Sequence, residues 1–183
     1  SLYLVGGSVR DALLGRLGND LDFTTPARPE VVKEILDEWA ETVWDTGIDF
    51  GTVSAAYKGQ QIEITTFRSD SYDGQSRNPE VVYGDTLEGD LVRRDFKANA
   101  MAIELLADAS FKFHDPLHGL QDIADRVLDT PDKPEISFHD DPLRMLRAAR
   151  FASQLEFRVA DRVVEAMRDM AGEINGSSAE PFL

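Results

Sequence analysis

The stretch that decides the fold reads LVGGSVRDALLGRLGNDLDFTT over residues 4–25. Apolar residues from Leu2 to Val5 predict a short buried strand, which the following glycine pair ends. Ser8 suits the N-cap of a helix that begins near Val9 and stops at the next glycines. Leu21 to Thr24 then predicts a second strand. This order of strand, glycine turn, helix and strand indicates a domain that mixes helices with a sheet.

Two features of this stretch predict phosphate chemistry. A glycine pair before a helix lets the backbone approach a phosphate, so we expect Gly6 and Gly7 to lie against a nucleotide, with Arg10 in reach of a phosphate oxygen. Asp20 and Asp22 are two residues apart on a strand and point to one face, where paired carboxylates suit divalent cations. Either piece alone is typical of an ordinary turn or a solvated strand face, but the combination is far more specific. The chain has no GxxxxGK[ST] phosphate-binding loop.

Helices and strands alternate beyond this stretch. Pro29 suits the first turn of a helix with an apolar face. Residues 52–57 and 61–67 are rich in β-forming side chains and predict a hairpin. Glu63 alternates with apolar neighbours on that hairpin, and it is either a third carboxylate facing the metal or a strand residue facing solvent.

The rest of the chain divides into two parts. Residues 69–90 are rich in Ser, Asp, Gly and Asn and predict a long loop, whereas residues 96–106 predict a helix. From Asp141 onwards the pattern predicts helices only. The expected fold is an α/β (α+β) domain over residues 1–135, with a mixed or antiparallel sheet flanked by helices, followed by the start of an all-helical domain over residues 136–183.

A second motif, RRDFKANA, occupies residues 93–100. Asn99 lies four residues after Asp95, which places both on one face of the predicted helix. Arg94, Asp95 and Asn99 together are candidates to hold a ribose hydroxyl and a phosphate. The alternative is a helix capped by Asp95 with solvated arginines.

A third motif, DDPLRMLRAARFA, occupies residues 140–152. Its proline suits a first helical position, and Asp141 suits the N-cap. Arg144, Arg147 and Arg150 recur every third residue, and neighbouring cations of this kind are stabilised beside a polyphosphate or an RNA backbone. An acid followed by an arginine can also exchange hydrogen bonds with the edge of a nucleobase.

Composition limits the classes of function. The 183 residues carry a net charge of −15, which argues against a general polyanion-binding surface, so contact with nucleic acid must use a local patch. The chain contains no cysteine and no apolar run of membrane length. It starts inside an apolar segment without a basic region or a cleavage site, and we therefore expect a cut N-terminus, no signal peptide and a cytoplasmic location.

The motifs resemble the class II family of tRNA CCA-adding enzymes and poly(A) polymerases, within the polymerase-β-like nucleotidyltransferases. The similar segments appear in the family's order and cover nearly the whole chain. They are LVGGSVRDALLG at 4–15, DLDFTT at 20–25, RRDFKANAMA at 93–102, DPLHGLQD at 115–122 and DDPLRMLRAARFASQLEF at 140–157. The resemblance implies a nucleotidyltransferase head followed by the start of a helical neck, with DPLHGLQD as the hinge between them.

The resemblance also implies a role for each matching position. Asp20 and Asp22 would bind two Mg²⁺ ions, or Mn²⁺ in their place, and Gly7 and Arg10 would contact the triphosphate. Ribose recognition would fall to Arg94 and Asp95, and Watson–Crick-like reading of the incoming base to Asp141 and Arg144. Nucleotide or phosphate binding would be shared by Arg147 and Arg150.

The expected activity is addition of CCA to tRNA 3′ ends from CTP and ATP, with release of pyrophosphate and no membrane or protein partner. A poly(A) polymerase or a partial CC- or A-adding enzyme shares the same head motifs. More distant alternatives are a small-molecule nucleotidyltransferase and a non-catalytic nucleotide-binding fragment.

Two departures from the family's pattern bear on this expectation. The base-reading motif usually begins Glu-Asp, whereas here it is Asp140-Asp141. The second acid and the following arginine are kept, so we expect base reading to survive. The chain also stops soon after the neck begins, and we expect it to be a fragment.

Overall fold

The computed structural model describes residues 1–69 and 81–176. A seven-stranded sheet, in the order β3-β4-β5-β2-β1-β6-β7, dominates the fold. Its strands are β1 (Leu2–Val5), β2 (Asp20–Thr25), β3 (Thr42–Trp44), β4 (Thr52–Tyr57), β5 (Gln60–Thr66), β6 (Ala102–Leu105) and β7 (Phe111–His114). Strands β2 and β5 run parallel, and the other neighbours run antiparallel. The sheet is therefore mixed, as the sequence predicts.

Helices flank the sheet and form most of the later part of the chain. They are α1 (Gly7–Leu13), α2 (Pro29–Trp39), α3 (Leu87–Val92), α4 (Gly119–Asp125), α5 (Pro134–Asp140), α6 (Leu143–Leu155) and α7 (Asp161–Met170). Short 3₁₀ turns occur at Ile48–Phe50, Lys97–Asn99 and Ala171–Gly176. Among the described residues, no helix combines the length and apolar character that a membrane crossing requires.

Two apolar clusters fix the helices to the strands. One cluster packs Val32 and Leu36 of α2 against Phe23, Val53 and Ile64 of the sheet. The other joins α1, the 96–101 segment, α4 and α6, and its members are Val9, Phe96, Ala98, Met101, Ile123, Leu128, Ala148, Phe151, Leu155 and Phe157. The second cluster includes residues from both sides of position 135.

The start of the chain follows the prediction with one correction. Strand β1 has the predicted bounds, and β2 contains the predicted strand with one further residue at each end. The first helix begins at Gly7 rather than near Val9, so Ser8 lies inside it. Instead of capping the helix, the Ser8 hydroxyl accepts a hydrogen bond of 3.0 Å from the backbone N–H of Asp22. The side chain thereby ties α1 to the strand that carries the predicted metal ligands.

The helix predicted over residues 96–106 is wrong. That segment forms the 3₁₀ turn Lys97–Asn99 and then β6, which pairs with β1 from Leu2 to Val5. Ala98, Ala100, Met101 and Ala102 are all fully buried. A run buried on every side has no polar helical face, and the neighbouring strand supplies its backbone hydrogen bonds.

The long loop predicted over residues 69–90 is also wrong in part. Leu87–Val92 forms α3, and the Thr86 side chain accepts a hydrogen bond of 3.1 Å from the N–H of Gly89, which caps this helix. Residues 70–80 of the predicted loop lie outside the described residues.

The prediction that the chain is purely helical from Asp141 onwards is wrong. The two-residue strand β9 (Arg158–Val159) pairs in parallel with β8 (Val127–Leu128). The N–H of Arg158 donates to the carbonyl of Arg126 at 3.0 Å, and the N–H of Ala160 donates to the carbonyl of Leu128 at 2.9 Å. These bonds link a segment before residue 135 to one after it.

Candidate active site

A cavity of about 570 Å³ lies between the sheet, α1 and α6. Eleven of the thirteen predicted site residues line it, and Asp20 and Arg150 are the two that do not. The eleven are Gly6, Gly7, Arg10, Asp22, Glu63, Arg94, Asp95, Asn99, Asp141, Arg144 and Arg147. Folding thus brings together side chains from three motifs that span most of the described chain.

The glycine pair allows two arginines to approach the backbone. Gly6 has a φ of +65°, and a Cβ atom on it would lie 3.1 Å from Nη1 of Arg94. A Cβ atom on Gly7 would lie 3.1 Å from Nη2 of Arg10. Any side chain at position 6 would therefore meet both backbone strain and the Arg94 guanidinium.

Acidic side chains form one side of the cavity. Asp22 on β2 lies directly opposite Glu63 on the parallel strand β5. Burial raises the pKa of the Asp22 carboxyl, the charge of Arg94 opposes this rise, and the neighbouring Asp20 adds to it. Burial also raises the pKa of Glu63, and the charge of Asp22 raises it further, while Arg68 opposes. Burial is thus the main cause of both raised pKa values, and the repulsion of Asp22 with Asp20 and with Glu63 adds to it.

The donor set fits a cation that arrives with its ligand. Within residues 1–69 and 81–176, no group of three or more histidine or acidic side chains is arranged to hold a metal by itself. Mg²⁺ in phosphoryl-transfer sites is typically held by one or two carboxylates together with substrate phosphates. A pair of mutually repelling carboxylates beside an arginine-lined space meets that requirement without a protein cage.

One network of polar contacts crosses the cavity wall and joins Arg10, Asn99, Asp95 and Arg147. Nη1 of Arg10 donates to Oδ1 of Asn99 at 2.7 Å, and Nδ2 of Asn99 donates to Oδ1 of Asp95 at 3.1 Å. Nε of Arg147 donates to Oδ2 of Asp95 at 2.8 Å, and Nη2 of Arg147 forms an ion pair with the same oxygen at 2.7 Å. The contact between Asp95 and Asn99 that the helical spacing suggested is present, although the segment is not an α-helix.

Arg94 is held by an acid that sequence reasoning missed. Nη2 of Arg94 donates to Oδ2 of Asp90 at 2.9 Å, and the backbone N–H of Arg68 donates to Oδ1 of the same side chain at 3.0 Å. Asp90 is only 2% exposed. Its position four residues before Arg94 was a usable signal, because residues at that spacing face each other on a helix.

The Asp141 and Arg144 pair is anchored by α5. Oδ1 of Asp141 accepts a hydrogen bond of 3.0 Å from the N–H of Leu143. The N-cap of α6 is Pro142 and the helix begins at Leu143, so the prediction of Asp141 as the N-cap and Pro142 as the first helical residue is wrong by one position. Nη1 of Arg144 donates to Oγ of Ser137 at 2.9 Å, and Nη2 donates to the carbonyl of Arg93 at 2.8 Å. The guanidinium therefore has two fixed partners at the cavity wall.

Further lining residues were missed in the sequence. They include Thr52, Thr65, Arg68, Asp90, Arg93 and Phe151. Thr65 shares a strand face with Glu63 two residues away, and its hydroxyl lies 2.9 Å from that of Thr52. The two-residue period of the strand could therefore have identified Thr65 as a lining residue. The position of Arg68 depends on the path of the chain after β5, which that period does not predict.

Sequence comparison identifies relatives along most of the chain. The family described as "Poly A polymerase head domain" matches residues 2–129. The CCA-adding enzyme of Lactobacillus helveticus (strain DPC 4571) is 44% identical over 168 residues, which are 91% of this chain and 40% of that enzyme. The CCA-adding enzyme of Listeria monocytogenes serovar 1/2a (strain ATCC BAA-679 / EGD-e) is 41% identical over 179 residues, which are 97% of this chain and 44% of that enzyme.

Solved structures agree with these matches. The CCA-adding enzyme of Bacillus stearothermophilus in complex with CTP superposes with a TM-score of 0.82 at 38% identity, over 97% of this chain and 41% of that one. A tRNA nucleotidyltransferase complexed with a primer tRNA and an incoming ATP analog gives a TM-score of 0.77 at 31% identity, over 93% of this chain and 46% of that one. The chain spans less than half the length of these relatives. From its matches and its fold, the chain belongs to the family of tRNA CCA-adding enzymes and poly(A) polymerases.

Proposed function

We propose that the chain acts as the nucleotide-transferring head of an enzyme that adds CCA to tRNA 3′ ends from CTP and ATP, with release of pyrophosphate. The observation that carries this proposal is the single cavity shared by Asp22, Glu63, Arg94, Asp95 and the Asp141–Arg144 pair. The similar solved structures named for CCA addition hold CTP or ATP, and one named as a tRNA nucleotidyltransferase holds a primer tRNA. A tRNA substrate would place the reaction in the cytoplasm.

The carboxylates would serve as metal ligands. Nucleotidyltransferases of this family generally use divalent metal ions. We assign two Mg²⁺ ions, with Mn²⁺ as a possible substitute, to Asp20 and Asp22, and we assign Glu63 as a further acid of the same site. Bound divalent cations would supply charge neutralisation for the triphosphate and activation of the 3′ hydroxyl.

The remaining residues would orient the nucleotide. Gly6 and Gly7 leave space for Arg10 and Arg94 at the backbone, and these guanidiniums would bind the triphosphate and the ribose. Asp95 would accept a ribose hydroxyl after exchanging one of its present hydrogen bonds, and Asn99 would hold Asp95 in place. Since phosphoryl transfer needs little covalent help from protein, positioning of this kind carries most of the catalysis.

Base reading would fall to Asp141 and Arg144. Arg144 presents donors at the cavity wall, and Asp141 uses one oxygen to accept from the N–H of Leu143. A donor beside an acceptor matches the Watson–Crick edge of cytosine or adenine. Phosphate contacts are the role proposed for Arg147 inside the cavity and for Arg150 outside it.

We also propose a division of the chain near residue 135. The family match ends at residue 129, and α5 begins at Pro134. The residues before this point would form the catalytic head, and those after it the start of the helical neck.

Nucleotide binding tests the proposal directly. Calorimetry with CTP, ATP, GTP and UTP, with and without Mg²⁺, should show binding of CTP and ATP that depends on the metal, with GTP and UTP at least about tenfold weaker. Incubation with tRNA that lacks CCA, with each nucleotide supplied separately and together, then tests transfer. Equal affinity for all four nucleotides would contradict the proposed base reading.

The family description favours a second candidate, a poly(A) polymerase. The two activities differ in their product. A poly(A) polymerase would add long tracts from ATP alone on any RNA, whereas a CCA-adding enzyme would need CTP first and would stop after adenosine. The tRNA incubation therefore separates them.

A further inference from the structure

Three guanidinium groups surround one aromatic ring in the structure. The Cζ atoms of Arg10, Arg147 and Arg150 each lie 5.1 Å from the centroid of the Phe151 ring. Arg10 belongs to α1, and the other two belong to α6. The ring is therefore a shared contact of arginines from two separate motifs.

The distances are those of cation–π contacts. A guanidinium within about 6 Å of a ring centroid is attracted by the negative face of the π system. Arg147 precedes Phe151 by four residues, so the helix places the two side chains next to each other. Within the described residues, Arg150 forms no ion pair with a carboxylate, which leaves the ring as its attractive neighbour.

The ring itself is fixed. Phe151 is 7% exposed, and Phe96 packs against it edge to face, with ring centroids 6.1 Å apart and an interplanar angle of 90°. Phe96 is fully buried. A ring that is fixed by packing against the core can act as a rigid support for the charged groups around it.

The same arginines carry the phosphate contacts of the proposed function. Arg10 and Arg147 line the cavity, and both also connect to Asp95, directly or through Asn99. Cations that converge on one place repel each other, and Arg150 does not share the links to Asp95 that hold Arg10 and Arg147. The attraction of each guanidinium to the ring offsets part of this repulsion and limits the rotamers of all three side chains.

We propose that Phe151 is a positioning residue, whose π face holds Arg10, Arg147 and Arg150 in the arrangement that receives the phosphates of a nucleoside triphosphate. This inference rests on the proposed function for the identity of the ligand. It does not need that function for the arrangement of the arginines, which can be measured without nucleotide.

The competing explanation is that Phe151 only fills the core. Phe157 offers a matched control, because it belongs to the same cluster and is 6% exposed. Among the described residues, no cation–π contact involves Phe157. Replacement at either position should cost similar packing, but only position 151 should affect the arginines.

The first test replaces Phe151 in the whole chain with phenylalanines that carry one, two and three ring fluorines. Fluorination keeps the shape of the ring and weakens its negative face. Calorimetry with CTP and Mg²⁺ should then show affinity falling stepwise, to about a tenfold loss in total. The same series at Phe157 should leave the affinity unchanged. Unchanged or increased affinity across the series at position 151 would overturn the proposal.

The second test needs no nucleotide. Ring currents should displace the NMR signals of the Nε–H groups of Arg10, Arg147 and Arg150. Phe151→Leu should remove this displacement, whereas Phe157→Leu should retain it in a protein of similar thermal stability. Signals that do not move in Phe151→Leu would overturn the proposal. If the parent chain fails to bind CTP, the proposed function fails, and the NMR result still decides whether the ring positions the arginines.

Discussion

The two sides of the cavity carry side chains of opposite charge. The acidic wall consists of Asp22 and Glu63 on adjacent strands, and the arginine wall consists of Arg10, Arg144 and Arg147 on α1 and α6. The charges of Arg94 and Arg68 lower the pKa values of Asp22 and Glu63, but burial and the repulsion between the carboxylates outweigh them. On the arginine wall, every member already donates to a partner in the protein.

The two walls are therefore arranged differently for binding a charged ligand. The sheet holds like charges together at an electrostatic cost, which a cation would remove. The helices hold opposite charges in satisfied pairs, so a ligand must replace existing hydrogen bonds rather than fill an empty place. Changes to the acidic wall should therefore alter activity more than stability, and changes around the arginine wall should alter both.

The largest expected effect comes from the acidic wall. Asp22→Ala should reduce nucleotide incorporation about a thousandfold, the equivalent of about 4 kcal/mol, since it removes one of the proposed metal ligands. Unfolding by urea should show equal or slightly greater stability, because the cost of burying the Asp22 carboxylate and its repulsion with Asp20 and Glu63 disappear, while the attraction to Arg94 is lost. Asp169→Ala, which changes an exposed acid on α7, serves as the control. Retained incorporation in Asp22→Ala would disprove the metal assignment.

The next effect comes from the partner of the arginine wall. Asp95→Ala removes the acceptor of Arg147, Asn99 and the Phe96 N–H. Because the Arg147 side chain is 43% exposed, water replaces part of the lost pairing, and we expect a loss of about 2 kcal/mol in urea unfolding. Asp95→Asn keeps an acceptor for the N–H and should lose about half as much. Wild-type stability in Asp95→Ala would show that the pairing stabilises nothing.

A smaller effect should appear in base selectivity. Ser137→Ala removes the hydroxyl that accepts from Arg144. The guanidinium then loses one of its two fixed partners, so the proposed preference for CTP and ATP over UTP and GTP should fall about tenfold in calorimetry. Ser110→Ala, an exposed serine on the turn before β7, is the control. An unchanged preference would mean that Arg144 is oriented without Ser137.

The smallest effect is the difference between two glycines with positive φ. Gly6 and Gly15 have similar φ values of +65° and +69°, but a Cβ atom at Gly15 would meet nothing within 4 Å. Gly15→Ala should cost about 1 kcal/mol of strain in urea unfolding. Gly6→Ala should cost roughly 1 kcal/mol more, because its ψ of −138° lies outside the left-handed helical region and the Arg94 guanidinium must also move. Equal losses would show that neither the ψ of Gly6 nor the contact with Arg94 adds a cost.

The sequence predicted which residues meet at the cavity better than it predicted the helices and strands that carry them. The Asp95–Asn99 contact is present although the helix behind its prediction is absent, because a 3₁₀ turn also brings residues three or four apart together. Strand β3 was missed, since three residues are too few for a periodic signal. Asp90 was assigned to a loop, and its role depends on α3, which the polar composition around it concealed.

The two-residue pair of β8 and β9 has a mechanical consequence for the cavity. Its backbone hydrogen bonds, and the contact of 2.7 Å between Nε of Arg162 and Oδ1 of Asp129, connect the chain on either side of residue 135. Together with the apolar cluster that α6 shares with α1, these bonds restrain the rotation of α6 relative to the sheet. They thereby help to keep Arg144 and Arg147 at a constant distance from the acidic wall.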